Sequence, residues 1–119
     1  MESIQPEVLR SAIKEVWIRA LTEVQPDVLN ALVKARAEET NPRGQQYLDI
    51  LIENAKKAKE NRIVICQDTG VPTFFVKTSL SFPFTGDIRA EFDGALRDLT
   101  KKEFPMRPMV VHPLTRKDR

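Results

Sequence analysis

The sequence predicts an α+β fold: a mostly helical N-terminal half, a small strand element around Cys66, and one further helix. Three observations carry this. Pro6-Glu7, Pro26-Asp27 and Asn41-Pro42 each open an apolar stripe at helical spacing. Ile63-Val64-Ile65-Cys66 is a short β-branched run followed by turn residues, the pattern of a buried strand. Residues 88–103 then return to a helical period.

The first two helices start alike, at Gln5-Pro6-Glu7-Val8-Leu9 and Gln25-Pro26-Asp27-Val28-Leu29. Proline's fixed φ suits a first helical position, and the acid after it suits the positive end of the helix dipole. Leu9, Ile13, Val16, Trp17, Ala20 and Leu21 form the first stripe; Val28, Leu29, Leu32 and Val33 form the second. In the third helix Asn41 is the expected N-cap, and Leu48, Leu51, Ile52 and Ala55 the expected buried face. Lys56, Lys57, Lys59 and Arg62 fill its last turns, where cations are favoured.

Past the run ending at Cys66, Gln67-Asp68-Thr69-Gly70 reads as a turn and Phe74-Phe75-Val76-Lys77-Thr78 as a second strand. Pro83, Gly86 and Asp87 mark a break before the helix that carries Ile88, Phe92, Ala95, Leu96 and Leu99 on one face. Gly94 weakens that helix by about 1 kcal/mol relative to alanine. Met109-Val110-Val111 reads as a short edge strand. No linker or low-complexity segment divides the chain, so its 119 residues read as one domain, 1–119.

Nineteen basic and 17 acidic residues interleave to a net charge of +2. That is a solvated surface, not a nucleic-acid footprint. No apolar run approaches the roughly 18 residues that cross a bilayer, and the N-terminus has no signal-peptide pattern. The expectation is a cytoplasmic protein without membrane or nucleic-acid partners.

Cys66 is the one cysteine, so neither an internal disulfide nor an all-thiolate metal site can be built from this chain. It is followed at once by an amide and a carboxylate, Gln67 and Asp68. A soft metal ligand, a hydrogen-bond donor and a proton-handling group thus fall within one turn. Gly70 permits close approach of the backbone. Taken alone, the same residues also read as a packed thiol beside an ordinary turn.

Ile65-Cys66-Gln67-Asp68-Thr69-Gly70 resembles the cysteine motif of the iron–sulfur hydro-lyases, the family of class I fumarate hydratase and L-tartrate dehydratase alpha subunits. The likeness continues through Val71-Pro72-Thr73-Phe74-Phe75-Val76-Lys77. It resumes at Met106-Arg107-Pro108 and at His112-Pro113-Leu114-Thr115-Arg116-Lys117. The resemblance implies a 4Fe–4S cluster held by three cysteines, with one iron open to act as a Lewis acid. It implies reversible hydration of fumarate to L-malate, or the equivalent dehydration of tartrate. Cys66 would be one cluster ligand. Gln67 and Asp68 would face the substrate, Asp68 helping to orient or relay a proton, and Arg107 would pair with a carboxylate of the dicarboxylic acid. A beta subunit, or a beta region of the same enzyme, would complete the pocket in an oligomer of alpha and beta chains.

Two cluster cysteines of the family pattern are absent here. Where the family continues with asparagine and a Thr-Gly turn, this chain reads Asp118-Arg119 and ends. The expectation is a truncated alpha subunit that holds no complete cluster and is inactive by itself. His112, the one histidine, reads as a structural or surface residue, and Trp17 as a core residue. The competing reading is a non-catalytic helical interaction module in which Cys66 is merely buried. A cysteine nucleophile is weaker still, because nothing nearby in sequence activates the thiol.

Overall fold

Proline starts each of the first three helices. The computed structural model describes residues 3–66 and 72–102 in full, and the backbone of 110–112 and 117–118. Helix α1 spans Pro6–Thr22, α2 Pro26–Glu38 and α3 Pro42–Asn61. Asn41 caps α3, its side-chain oxygen accepting from the Arg43 N–H at 2.9 Å. Helix α4 spans Ile88–Lys102. Its cap is Asp87, whose carboxylate accepts from the N–H groups of Arg89 and Ala90. These bonds satisfy amide groups that a helix start leaves without partners.

The residues divide into two compact units. The first contains residues 1–15 and 68–119. Its core includes Ile13 of α1 and Ala95 and Leu99 of α4, the last two with no exposed surface. Arg10 donates to Glu91 at 2.8 Å, and Lys14 to Asp98 at 3.0 Å. A Cβ at Gly94 would stand 3.1 Å from the Arg10 guanidinium carbon. The glycine that weakens α4 therefore leaves room for the arginine that pairs with buried Glu91. Phe74 packs on Phe92 with ring centroids 4.5 Å apart, and Ile4 N–H donates to the Pro83 carbonyl at 2.7 Å.

The second unit is Val16–Gln67. Trp17, Ile18, Thr22, Ala55 and Ala58 are buried in it. Trp17 is a core residue, as its place on the stripe predicts, whereas Val16 is exposed and Ile18 takes its place inside. Helices α2 and α3 form a hairpin, closed by an ion pair of Arg36 to Asp49 at 2.7 Å. That hydrogen bond holds the Asp49 carboxyl below the usual carboxylate range and raises Arg36. No residue of α2 is buried, and Val28 and Val33 are about half exposed.

The expected α+β class is overturned: apart from one short ladder the regular structure is helical, and among the described residues no strand forms around Cys66. Residues 63–66 leave α3 through an irregular bend, and residues 72–79 carry no ladder. A strand exists only where a second strand accepts its hydrogen bonds, and here Ile65 bonds to helices instead. Strand propensity measures fit to a pleated, half-buried surface rather than an intrinsic backbone preference. Phe75, nearly fully exposed, and Val76 have no such surface. The described backbone pairs only in a short antiparallel ladder, β1 (Val110–His112) with β2 (Lys117–Asp118). It is remote in sequence from Cys66 and too small to define the class. The edge strand expected from Met109 falls on Val110–His112, with Met109 outside the described residues. Among the described residues no helix is long and apolar enough to cross a membrane.

Candidate functional site

The approach to Cys66 begins at the end of α3. Arg62 adopts the left-handed conformation, φ 50°. Its N–H donates to Lys59, and that of Ile63 to Ala58 at 3.0 Å. These two bonds form a Schellman closure, which reverses the chain and satisfies the last carbonyls of the helix.

The chain then docks through Ile65. Its N–H donates to the Leu21 carbonyl at 2.9 Å. Leu21 lies in the last turn of α1, where carbonyls have no partner within the helix. The Ile65 carbonyl accepts from the Asn54 side-chain amide of α3, also at 2.9 Å. Both backbone groups of the residue before Cys66 are thus held, by two helices rather than a sheet. Cys66 itself is exposed. Exposure corrects the picture of a thiol at the end of a buried strand, and removes the buried cysteine on which the interaction-module reading rested.

Gln67, Asp68 and Arg107 lie outside the described residues, as do Thr69, Gly70 and Pro113–Arg116. His112 is placed by its backbone in β1. Among the described residues no three His, Cys, Asp or Glu side chains gather into a metal site. Cys66 is therefore the one predicted site residue whose surroundings are seen. Asn54 was not singled out by its sequence context. Its one signal is that asparagine is a poor helix former, and it stands well inside α3.

An open groove of about 280 Å³ lies elsewhere, lined by Pro6, Glu7, Arg10, Ser11 and Lys14 of α1. Its cations are already engaged by Glu91 and Asp98. The pairing raises Arg10 and holds Asp98 below the usual carboxylate range.

Comparison with known proteins agrees with the motif. The family described as fumarate hydratase (Fumerase) matches residues 10–119. A protein of Methanocaldococcus jannaschii, provisionally named L(+)-tartrate dehydratase subunit alpha, is 34% identical over 112 residues, 92% of this chain and 39% of its own length. One from Geobacillus stearothermophilus, provisionally named fumarate hydratase class I, is 33% identical over 110 residues, covering 92% of this chain and 21% of that protein. The L(+)-tartrate dehydratase subunit alpha of Escherichia coli K12 is 31% identical over 90 residues, 76% and 29% of the two chains. The chain spans well under half the length of each of these relatives. With the match covering nearly all of its residues, the chain belongs to the fumarate hydratase (Fumerase) family.

Proposed function

We propose that this chain is the N-terminal portion of the alpha subunit of an iron–sulfur hydro-lyase that interconverts fumarate and L-malate. Cys66 supplies one thiolate ligand of a 4Fe–4S cluster. The observation that carries the reading is an exposed thiol whose preceding residue is held at both its N–H and its carbonyl. A metal ligand needs such a thiol: accessible, and fixed through its backbone.

The donor set fits one corner of a cluster and no more. A single thiolate holds no cluster alone, so the remaining ligands come from residues outside this chain, and the isolated chain is inactive. When bound, a cluster with an open iron supplies a Lewis acid for the hydroxyl that leaves or arrives. The part of this chain is to bind and orient. Asp68, two residues beyond Cys66 in the sequence, hydrogen-bonds the substrate and relays a proton. Gln67 offers its amide N–H to a substrate oxygen, and Arg107 pairs its planar fork with a carboxylate. The partner is a beta subunit or beta region that closes the pocket, in an assembly of alpha and beta chains. The setting is cytoplasmic, where an exposed thiol stays reduced.

Dehydration of tartrate is the second reading. Two of the relatives above bear that name, and the two substrates share the elimination chemistry. Assaying the complete enzyme on both separates them.

The test of the site is Cys66→Ser in that complete enzyme, prepared anaerobically. Cluster absorbance and iron content should fall, and hydration should drop by more than about 100-fold, beyond the loss typical of outer-shell changes. Full iron content with a normal rate in the variant would sink the proposal.

A further inference from the structure

We propose that Asn54 is a positioning residue for Cys66: its side-chain amide holds the Ile65 carbonyl and so sets the orientation of the peptide that carries the thiol. The inference rests on the reading of Cys66 as a cluster ligand, and it names the residue that readies that ligand.

The Ile65 carbonyl and the Cys66 nitrogen belong to one planar peptide unit. Fixing the oxygen at 2.9 Å from Asn54 therefore fixes the plane that ends at the Cys66 Cα. The Ile65 N–H belongs to the preceding plane, which is held by Leu21 at 2.9 Å. With both planes pinned, φ and ψ of Ile65 are set together, and Cys66 leaves the clamp in a defined direction. Since Cys66 is exposed, burial does not hold it there. The donor's identity is unambiguous, because a carbonyl oxygen can only accept. Of the two holds, only Asn54 acts through a side chain, so only it is open to substitution without touching the backbone.

Helix formation does not account for Asn54. Asparagine inside a helix is disfavoured relative to alanine because its amide competes for backbone partners. At this position the amide reaches out of α3 to a segment 11 residues further along the chain. Replacing it with alanine should leave α3 as stable or more so while freeing the peptide before Cys66, a combination that a purely structural role would not produce.

The experiment has two arms. In this chain, amide hydrogen exchange is measured residue by residue for the parent, Asn54→Ala and Asn54→Asp. The Ile65 N–H, still bonded to Leu21, should exchange about fivefold faster in Asn54→Ala, because the clamp that must open to release it has lost one of its two hydrogen bonds. It should exchange at least as fast in Asn54→Asp, whose carboxylate faces the carbonyl with no donor. Amides within α3 should keep the parent rate. Acceleration spread through α3 and α1, with a lowered Tm, would reduce Asn54 to a general stabiliser and overturn the proposal, as would no acceleration at Ile65.

In the complete enzyme, the electron paramagnetic resonance spectrum of the cluster after one-electron chemical reduction, and its rate of iron loss to a chelator, are compared for the parent, Asn54→Ala and Cys66→Ser. Asn54→Ala should shift the spectrum and speed iron loss about tenfold, as loss of a group that orients a metal ligand does. If Cys66→Ser keeps its cluster, the ligand reading itself fails. If Cys66→Ser loses the cluster while Asn54→Ala matches the parent, the ligand reading stands and the positioning role alone is refuted.

Discussion

Cys66 shows how little a residue's own type says about its surroundings. Free cysteine is among the most buried residue types, yet this one is exposed, on the segment that turns back along α3 after Arg62. The motif around it was legible from the order of side chains alone. Its support was not, because Leu21 and Asn54 touch Ile65 through atoms that no local pattern connects. Leu99 is the opposite case. Its place on the apolar stripe of α4 predicted burial, and it has no exposed surface. Leu99→Ala should cost about 2–5 kcal/mol, from lost transfer energy and the cavity left behind. Urea unfolding of the variant measures this directly; a loss below about 1 kcal/mol would mean that the site collapses around the smaller side chain.

Among the elements, the helices were readable, and of the expected strands only the edge strand near Val110 formed among the described residues. Proline, asparagine and aspartate act within one turn of themselves, so Pro6, Pro26, Asn41-Pro42 and Asp87 mark helix starts by local chemistry. A strand depends on a partner that can lie anywhere in the chain, and the runs at 63–66 and 74–78 find none among the described residues. The end of α3 was also hidden. Arg62 sits where glycine is usual, at φ 50°, and nothing in its side chain announces that conformation. A side chain in the left-handed region costs about 1–2 kcal/mol, and glycine returns part of that gain through its freer unfolded state. Arg62→Gly should therefore raise stability by about 0.5–1 kcal/mol. Arg62→Val should lower it, since a β-branched residue tolerates positive φ least. Thermal unfolding of the pair decides the matter: equal Tm values would mean that the closure does not limit stability.

For the whole molecule, the two units share an electrostatic vulnerability. Each contains an aspartate whose pKa is lowered by a hydrogen-bonded cation: Asp98 by Lys14 in one, Asp49 by Arg36 in the other. A carboxyl with a depressed folded-state pKa contributes stability above its unfolded value. That contribution disappears as pH falls through the lower folded value. Both carboxyls start from 3.8, so both pairs remain intact near neutrality and fail together below about pH 4. Unfolding followed from pH 6 to pH 2.5 should show a decline confined to the acid end. In the double variant Asp49→Asn/Asp98→Asn that acid slope should be shallower, and an unchanged slope would assign the decline to other carboxylates. Both pairs are surface pairs, so added salt should shrink the effect as well.

The sequence by itself determined where the helices begin, which face of α4 turns inward, and which family the chain resembles. All three rest on signals read within a few residues of one another. Tertiary structure alone decided that the segment before Cys66 is pinned between α1 and α3 and that its thiol faces outward. The physical reason is that a backbone group takes whatever partner folding brings to it. Ile65 finds an unpaired carbonyl at a helix end and an amide from a helix interior, and the strand its sequence suggested never forms.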